Sequence, residues 1–246
     1  MSSPLHRNES LDGTIDVPEL TAEQIQARVL HRDGLMLVID KPAGLPVHRG
    51  PKGGPNLETS FEFLRFGLPR PPVLAHRLDR DTSGCLVLGR HRKATASLGL
   101  LFKHGRISKT YWAIVEGGPA EDHGTIDMPL GRRNVERGWW QKVDLEGQPA
   151  ITRWKVMGRG DGLTWLAMEP VTGRTHQLRV HASAMGWPVA GDNVYGNGPR
   201  FGEPRLHLHA REIVIPISRN KDPVAVTAPA PSHMQERLHA CGWIGE

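Results

Sequence analysis

Apolar runs of strand length are interspersed irregularly along the chain with amphipathic stretches of helical period, and glycine and proline punctuate the joins. "TAEQIQARVL" predicts a short helix capped by Thr21, with Glu23 or Gln24 in its first turn. "LMLVID" reads as a strand, ended by the long Gly/Pro-rich loop "KPAGLPVHRGPKGGP". In "NLETSFEFLRFGL", Leu57, Phe61 and Leu64 fall at helical spacing behind Asn56 as N-cap. "CLVLG" is a short buried-strand candidate. "KATASLGLLFKHG" puts Ala94, Leu98 and Leu101 on one helical face and stops at Gly105. "KTYWAIVEG" alternates like a strand, with Tyr111, Ala113 and Val115 on one side. "PAITRWKVM" and "LTWLAMEP" predict a pair of strands. "GRTHQLRVHASAMG" predicts a helix with Leu178, Ala182 and Met185 inward. "REIVIPI" and "PVAVTAPAP" are late strands with proline-marked ends.

Strands and helices are mixed without regular alternation, which predicts an α+β fold rather than a doubly wound sheet. Residues 1–20 are polar and read as a tail; no linker divides residues 21–246, so one domain is expected there. No apolar run approaches the roughly 18 residues of a membrane span. The N-terminus has no apolar core of the secretory kind. Cys85 and Cys241 show neither metal nor disulfide spacing, which fits a reducing cytoplasm. The net charge of +5 comes largely from scattered arginines. That pattern suits a folded basic surface facing phosphates better than a disordered basic arm.

The chemistry concentrates in "VLAHRLDRDTSGCLVLGR", residues 73–90, where Asp79 and Asp81 are interleaved with Arg77 and Arg80. Such a cluster can be a solvated salt-bridge patch, which contributes little. It can be an Asp-x-Asp phosphatase site of the haloacid-dehalogenase type, although "AHRL" makes a poor buried strand ahead of it. Asp81-Thr82-Ser83-Gly84 differs from the Asp-Thr-Gly of aspartic proteases by the inserted Ser83, and no second copy exists in the chain. Finally, one carboxylate can act as a nucleophile if it is kept ionised and aimed, and a guanidinium does both.

"HRLDRDTSGCLVLGR" closely resembles the signature of the RluA-type pseudouridine synthases. "VLHRDGLMLVIDKPAGLPVHRG", "SKTYWAIVEG", "GRTHQLRVHASAMGWPVAGDNVYG" and "LHLHAREIVI" resemble further segments of that family, in family order. The resemblance implies the pseudouridine synthase fold: a mixed, mostly antiparallel, bisected sheet with flanking helices and a basic central cleft. It implies an isomerase that converts specific uridines of structured RNA, tRNA or rRNA, to pseudouridine. No cofactor and no metal are implied, because nothing is oxidised or transferred. Too few residues precede the first strand for the S4 RNA-binding domain of many members. A monomer is expected, without membrane or obligate protein partner.

Carried over by position, the resemblance makes Asp79 the nucleophile, places Tyr111 against the target base, and pairs Arg179 with Asp79. Thr175 and Ser183 share the Arg179 face of the predicted helix. The uridine must leave the stack to react, and Arg77 is the candidate to enter the RNA. His76 supports the turn and borders the RNA site. Thr82, Ser83 and Gly84 shape the loop holding Asp79. Lys41, Arg49 and Lys52 on the Gly/Pro loop, and Arg174, are candidates for phosphate contacts. "GRRNVERGWW" reads as a hairpin tip, with Arg132 and Arg133 toward RNA and Trp139 and Trp140 able to stack on bases. Two rivals stand beside this reading: a metal-dependent phosphatase, and an RNA-binding protein without the chemistry.

Overall fold

The structure is a computed structural model and describes residues 19–49, 54–133, 140–200, 202–218 and 220–246. Nearly all of the expected tail, with Lys52 and Trp139, lies outside these residues.

Helix α1 (Ala22–Gln26) opens with the predicted cap, as a reciprocal box between Thr21 and Gln24. It is short because Val29 already begins β1 (Val29–Arg32), which turns back as β2 (Met36–Lys41). The segment Leu57–Leu64 is a 3-10 helix, not an α-helix, and the Asn56 side chain makes no cap hydrogen bond. Its predicted face nevertheless packs: Leu57, Phe61 and Leu64 are buried. Then come β3 (Val73–Leu74), β4 (Ser83–Gly89), α2 (Arg92–Lys103) and β5 (Ser108–Glu116). β6 (His123–Asp127) precedes a hairpin of β7 (Leu130–Arg132) and β8 (Gln141–Val143). The predicted pair follows as β9 (Ile151–Gly160) and β10 (Leu163–Pro170). α3 (Gln177–Ala184), β11 (Leu208–Ile215), β12 (Val224–Thr227) and α4 (Ser232–Ala240) complete the order. The sequence reading did not anticipate α4. It placed Met185 inward, but Met185 lies beyond the last turn of α3 and is exposed.

One ten-stranded sheet runs β1-β2-β4-β11-β5-β10-β9-β6, with β12 beside β11 and β3 beside β4. Among the described residues its pairings are antiparallel except one, between β4 and β11, which joins only Ser83 to His209 and Gly84 to Ala210. This α+β sheet is therefore bisected. Gly84 makes the join possible: its φ of +102° suits glycine, and a Cβ there would collide with the Ala210 backbone. A hydrogen bond of 2.8 Å between Ser83 Oγ and His209 Nδ1 crosses the same seam.

Each half of the sheet has its own core. β2, β4 and β11 pack Leu37, Ile39, Leu86 and Leu88 with Leu57 and Leu98. β5 and β10 pack Ala113, Val115, Leu166 and Met168 against Leu178 and Ala182 of α3. On their reverse face, Ile114 and Trp165 meet Met234 and Leu238 of α4. The strict alternation of β5 is thus real, and both its faces are covered. Tyr111 packs against the first two cores at once, at the seam.

Burial lowers the pKa of six imidazoles among the described residues, three of them far below the ordinary value. Burial takes His76 down to about 3, and His207 and His209 down to about 4. Asp40 opposes them, raised by burial to about 6. Below the ordinary histidine value of 6.5 the unfolded chain binds protons that the folded chain refuses, so stability falls as pH falls. Each of these three contributes about 1.4 kcal/mol per pH unit in that window, and Asp40 cancels about one of them below pH 6. Urea unfolding is therefore expected to give a stability lower by roughly 4–5 kcal/mol at pH 5 than at pH 7. Equal stability at the two values would contradict this linkage.

Candidate active site

Asp79 lies in the turn between β3 and β4, just before the seam. Buried Leu78 anchors the turn, and the Thr82 N–H donates to the Asp79 carbonyl at 3.2 Å. The Arg80 carbonyl accepts from the Gly44 N–H at 2.9 Å and from Lys41 Nζ at 2.8 Å. The turn is thereby fastened from behind to the Lys-Pro-x-Gly loop. The Asp79 side chain keeps 31% exposure and opens on a cleft of about 520 Å³. Arg77, Lys109, Tyr111, Arg174, His176 and Arg179 line the same cleft.

Arg179 approaches Asp79 with one nitrogen, Nη1 to Oδ2, at 3.9 Å. Its fork is engaged elsewhere: Nε and Nη2 donate to the two carboxylate oxygens of Asp192 at 2.7 and 2.8 Å. Asp192 also accepts the Val194 and Tyr195 N–H groups. Burial works against both charges, but these bonds outweigh it, lowering the Asp192 pKa and raising that of Arg179. The expected Arg179–Asp79 pair is thus the weaker of two, because a bidentate carboxylate in the interior takes the fork first.

Tyr195 packs beneath this pair, its ring 5.2 Å from the Arg179 guanidinium carbon. Its hydroxyl accepts the Gln141 N–H at 2.9 Å and lies 2.7 Å from His176 Nδ1. His176 sits at φ +55°, a left-handed conformation that non-glycine residues enter seldom. Its Nε2 is 3.7 Å from Asp79 Oδ2. Burial holds the His176 pKa low despite the charge of Asp79. Tyr111 keeps its phenolic proton: burial, then the Asp79 charge, push its pKa up. Lys109, on the same face of β5, has its pKa lowered by burial and makes no ion pair among the described residues. The cleft therefore combines a half-exposed carboxylate, an aromatic wall and unpaired cations. No cluster of histidine, cysteine and carboxylates suited to a metal occurs among the described residues.

A family model described as RNA pseudouridylate synthase matches residues 35–184, which include Asp79, Tyr111 and Arg179. An RNA pseudouridine synthase of Zymomonas mobilis is 43% identical over 206 residues, 83% of this chain and 94% of that one. The chain belongs to the RNA pseudouridylate synthase family. The ribosomal large subunit pseudouridine synthase C of Vibrio cholerae is 34% identical over 226 residues, 87% of this chain and 69% of that one. The solved structure of human RNA pseudouridylate synthase domain containing 4 matches with a TM-score of 0.75 at 26% identity, over 89% of this chain and 95% of that one. The protein is accordingly a pseudouridine synthase, an isomerase.

Within the family frame the structure gathers Asp79, Tyr111, Arg179, Arg77, Arg174 and His76 around one cleft. One expectation needs correction. Lys41 is not a loop cation awaiting phosphate. It ends β2, is fully buried, and donates to the Pro42, Leu45 and Arg80 carbonyls at 2.7 to 2.9 Å. Burial lowers its pKa to about 7, yet three acceptors around one nitrogen engage all three N–H bonds of the ammonium form. His76 lines the cleft, stacks on Phe102 at 4.3 Å, and its Nε2 accepts the Val87 N–H. It supports the turn, as the sequence reading also held. Arg132 and Arg133 are exposed on the β7–β8 hairpin and do not line the cleft; Arg133 lies over the Trp140 ring at 5.6 Å. Arg49 is exposed on its loop.

Four residues of the site escaped the sequence reading: Lys109, His176, Asp192 and Tyr195. All lie inside segments that carry the family resemblance, so their presence was visible. Their convergence was not, since Asp192 follows Arg179 by a loop with no periodicity to orient it. Lys41→Met would keep the apolar stem and strand the Pro42 and Leu45 carbonyls. Each buried unsatisfied group costs about 1–3 kcal/mol, so a loss of about 3 kcal/mol in denaturant unfolding is expected. A loss under about 1 kcal/mol would mean that the loop does not depend on this ammonium.

Proposed function

We propose that the protein isomerises specific uridines of structured RNA, tRNA or ribosomal RNA, with Asp79 as the nucleophile. The observation that carries this reading is the Asp79 carboxylate, half-exposed in a cleft that also presents Tyr111 and the Arg179 guanidinium. The N1–C1′ bond of the uridine breaks, the uracil turns, and C5 bonds to C1′. The C5 proton leaves and N1 gains a proton, so atoms balance without a cofactor. Asp79 attacks C1′ or assists a glycal intermediate; the placement of its carboxylate serves either route. The ribosomal relatives support rRNA as the first substrate to test.

The surrounding groups have roles that follow from their state. A carboxylate nucleophile must stay ionised, and Arg179 and His176 both approach it. Tyr111, which retains its proton, suits stacking on the uracil and hydrogen bonding rather than service as a free phenolate. Arg77 is exposed at the cleft rim, where it can enter the gap left by a flipped uridine. Arg174 has one nitrogen bonded to the Pro149 carbonyl at 3.0 Å, which braces it at the cleft for phosphate. Lys109, unpaired among the described residues, is a further phosphate cation. The protein is proposed to act as a monomer in the cytoplasm; among the described residues no helix is long and apolar enough to cross a membrane.

Tritium release from transcripts labelled at C5 of uracil tests the reading. Native protein should release tritium in EDTA, and Asp79→Asn should fall to background while still binding RNA. Equal release by both proteins would remove Asp79 from the chemistry, and release lost in EDTA would point to a metal. Arg77→Ala should lower kcat/KM by roughly tenfold or more by hindering base flipping. Lys109→Met should weaken RNA binding and reduce the slope of log K against log salt by about one. An unchanged slope would place Lys109 away from phosphate.

A further inference from the structure

Asp79 has a second neighbour besides Arg179, and its proton can be located. The Tyr195 hydroxyl receives the Gln141 main-chain N–H, a fixed donor. Its own proton is therefore free to go to His176 Nδ1, 2.7 Å away. A neutral imidazole that accepts at Nδ1 carries its proton at Nε2. Nε2 is the atom that faces Asp79 Oδ2, at 3.7 Å. The fold takes trouble to keep it there: His176 is held at φ +55° directly before α3, and its side chain is only 11% exposed.

From this we infer that His176 is a positioning residue for the Asp79 carboxylate, locked in its Nε2–H tautomer by Tyr195. The inference rests on Asp79 being the nucleophile. Arg179 cannot hold Asp79 alone, since two of its nitrogens are committed to Asp192. With His176 and Arg179 both approaching Oδ2, that oxygen is fixed and Oδ1 is left for the ribose. An approach of this length can tighten to a hydrogen bond around substrate. The relay begins on β8, in the hairpin that also carries Arg132 and Arg133. RNA held by that hairpin would steady the strand whose N–H orients Tyr195.

Two readouts test the relay. Long-range proton–nitrogen spectra of histidine-labelled protein, with His176→Gln to assign the signal, report the tautomer without any substrate. His176 should carry Nε2–H in native protein and become a mixture in Tyr195→Phe. The second readout is steady-state tritium release. His176→Asn suits the left-handed backbone but cannot reach Asp79, and should lower kcat by roughly 10- to 100-fold with KM unchanged. His176→Gln places an amide N–H where Nε2 stood and should recover most of that loss. An Nδ1–H tautomer, equal kcat for the Asn and Gln variants, or an effect confined to KM would overturn the inference. If native protein forms no pseudouridine on tRNA or rRNA transcripts, the functional reading fails, and the tautomer alone decides whether the relay exists.

Discussion

The buried pair of Arg179 and Asp192 is the constraint on which the site depends. A guanidinium that is 5% exposed must find its counter-charge within the fold. Asp192 supplies it in bidentate form and is itself closed off by two main-chain N–H groups. This ties α3 to the loop after it and sets Tyr195 beneath the guanidinium. What remains of Arg179 for Asp79 is a single nitrogen at 3.9 Å. The arginine that looks catalytic in the sequence is thus first a structural cation, and its influence on the carboxylate is exercised from a fixed position.

A second cation does comparable work on the other side. Lys41 uses its ammonium to collect carbonyls from its own loop and from Arg80, next to Asp79. The Asp79 turn is therefore clasped between a buried lysine behind it and α3 in front of it. The join of β4 and β11, narrow enough to need Gly84, brings these supports together at the middle of the sheet. Tyr111 spans the two cores at that place. A cleft at the seam follows from the sheet being paired continuously while its halves pack separately.

Much of this was legible along the chain. Residues that pack by local period, such as Leu57, Phe61 and Leu64, or Ala113 and Val115, can be read from spacing alone, because burial repeats with the element. Even where the helix type differed, at Leu57–Leu64, the buried face was right. Asp79, Tyr111 and Arg179 were legible through a motif resemblance, and the cleft does contain all three. Lys41 misled because a lysine beside a Gly/Pro loop looks exposed in sequence; whether a loop folds back over its own lysine depends on distant carbonyls. Arg179 does approach Asp79 as expected, but its strongest partner, Asp192, lies across a loop and was not legible.

The sequence by itself determined the alternating and helical faces, the glycine at the seam, and the chemical inventory of the site, because these depend on residue type and short-range spacing. Only the tertiary structure decided which charges are paired, which are spent on the scaffold and which are left for RNA. A charged side chain's role is fixed by competition among partners brought together by folding. The 113 positions between Asp79 and Asp192 and the 138 between Lys41 and Arg179 offer no local rule by which that competition could be read.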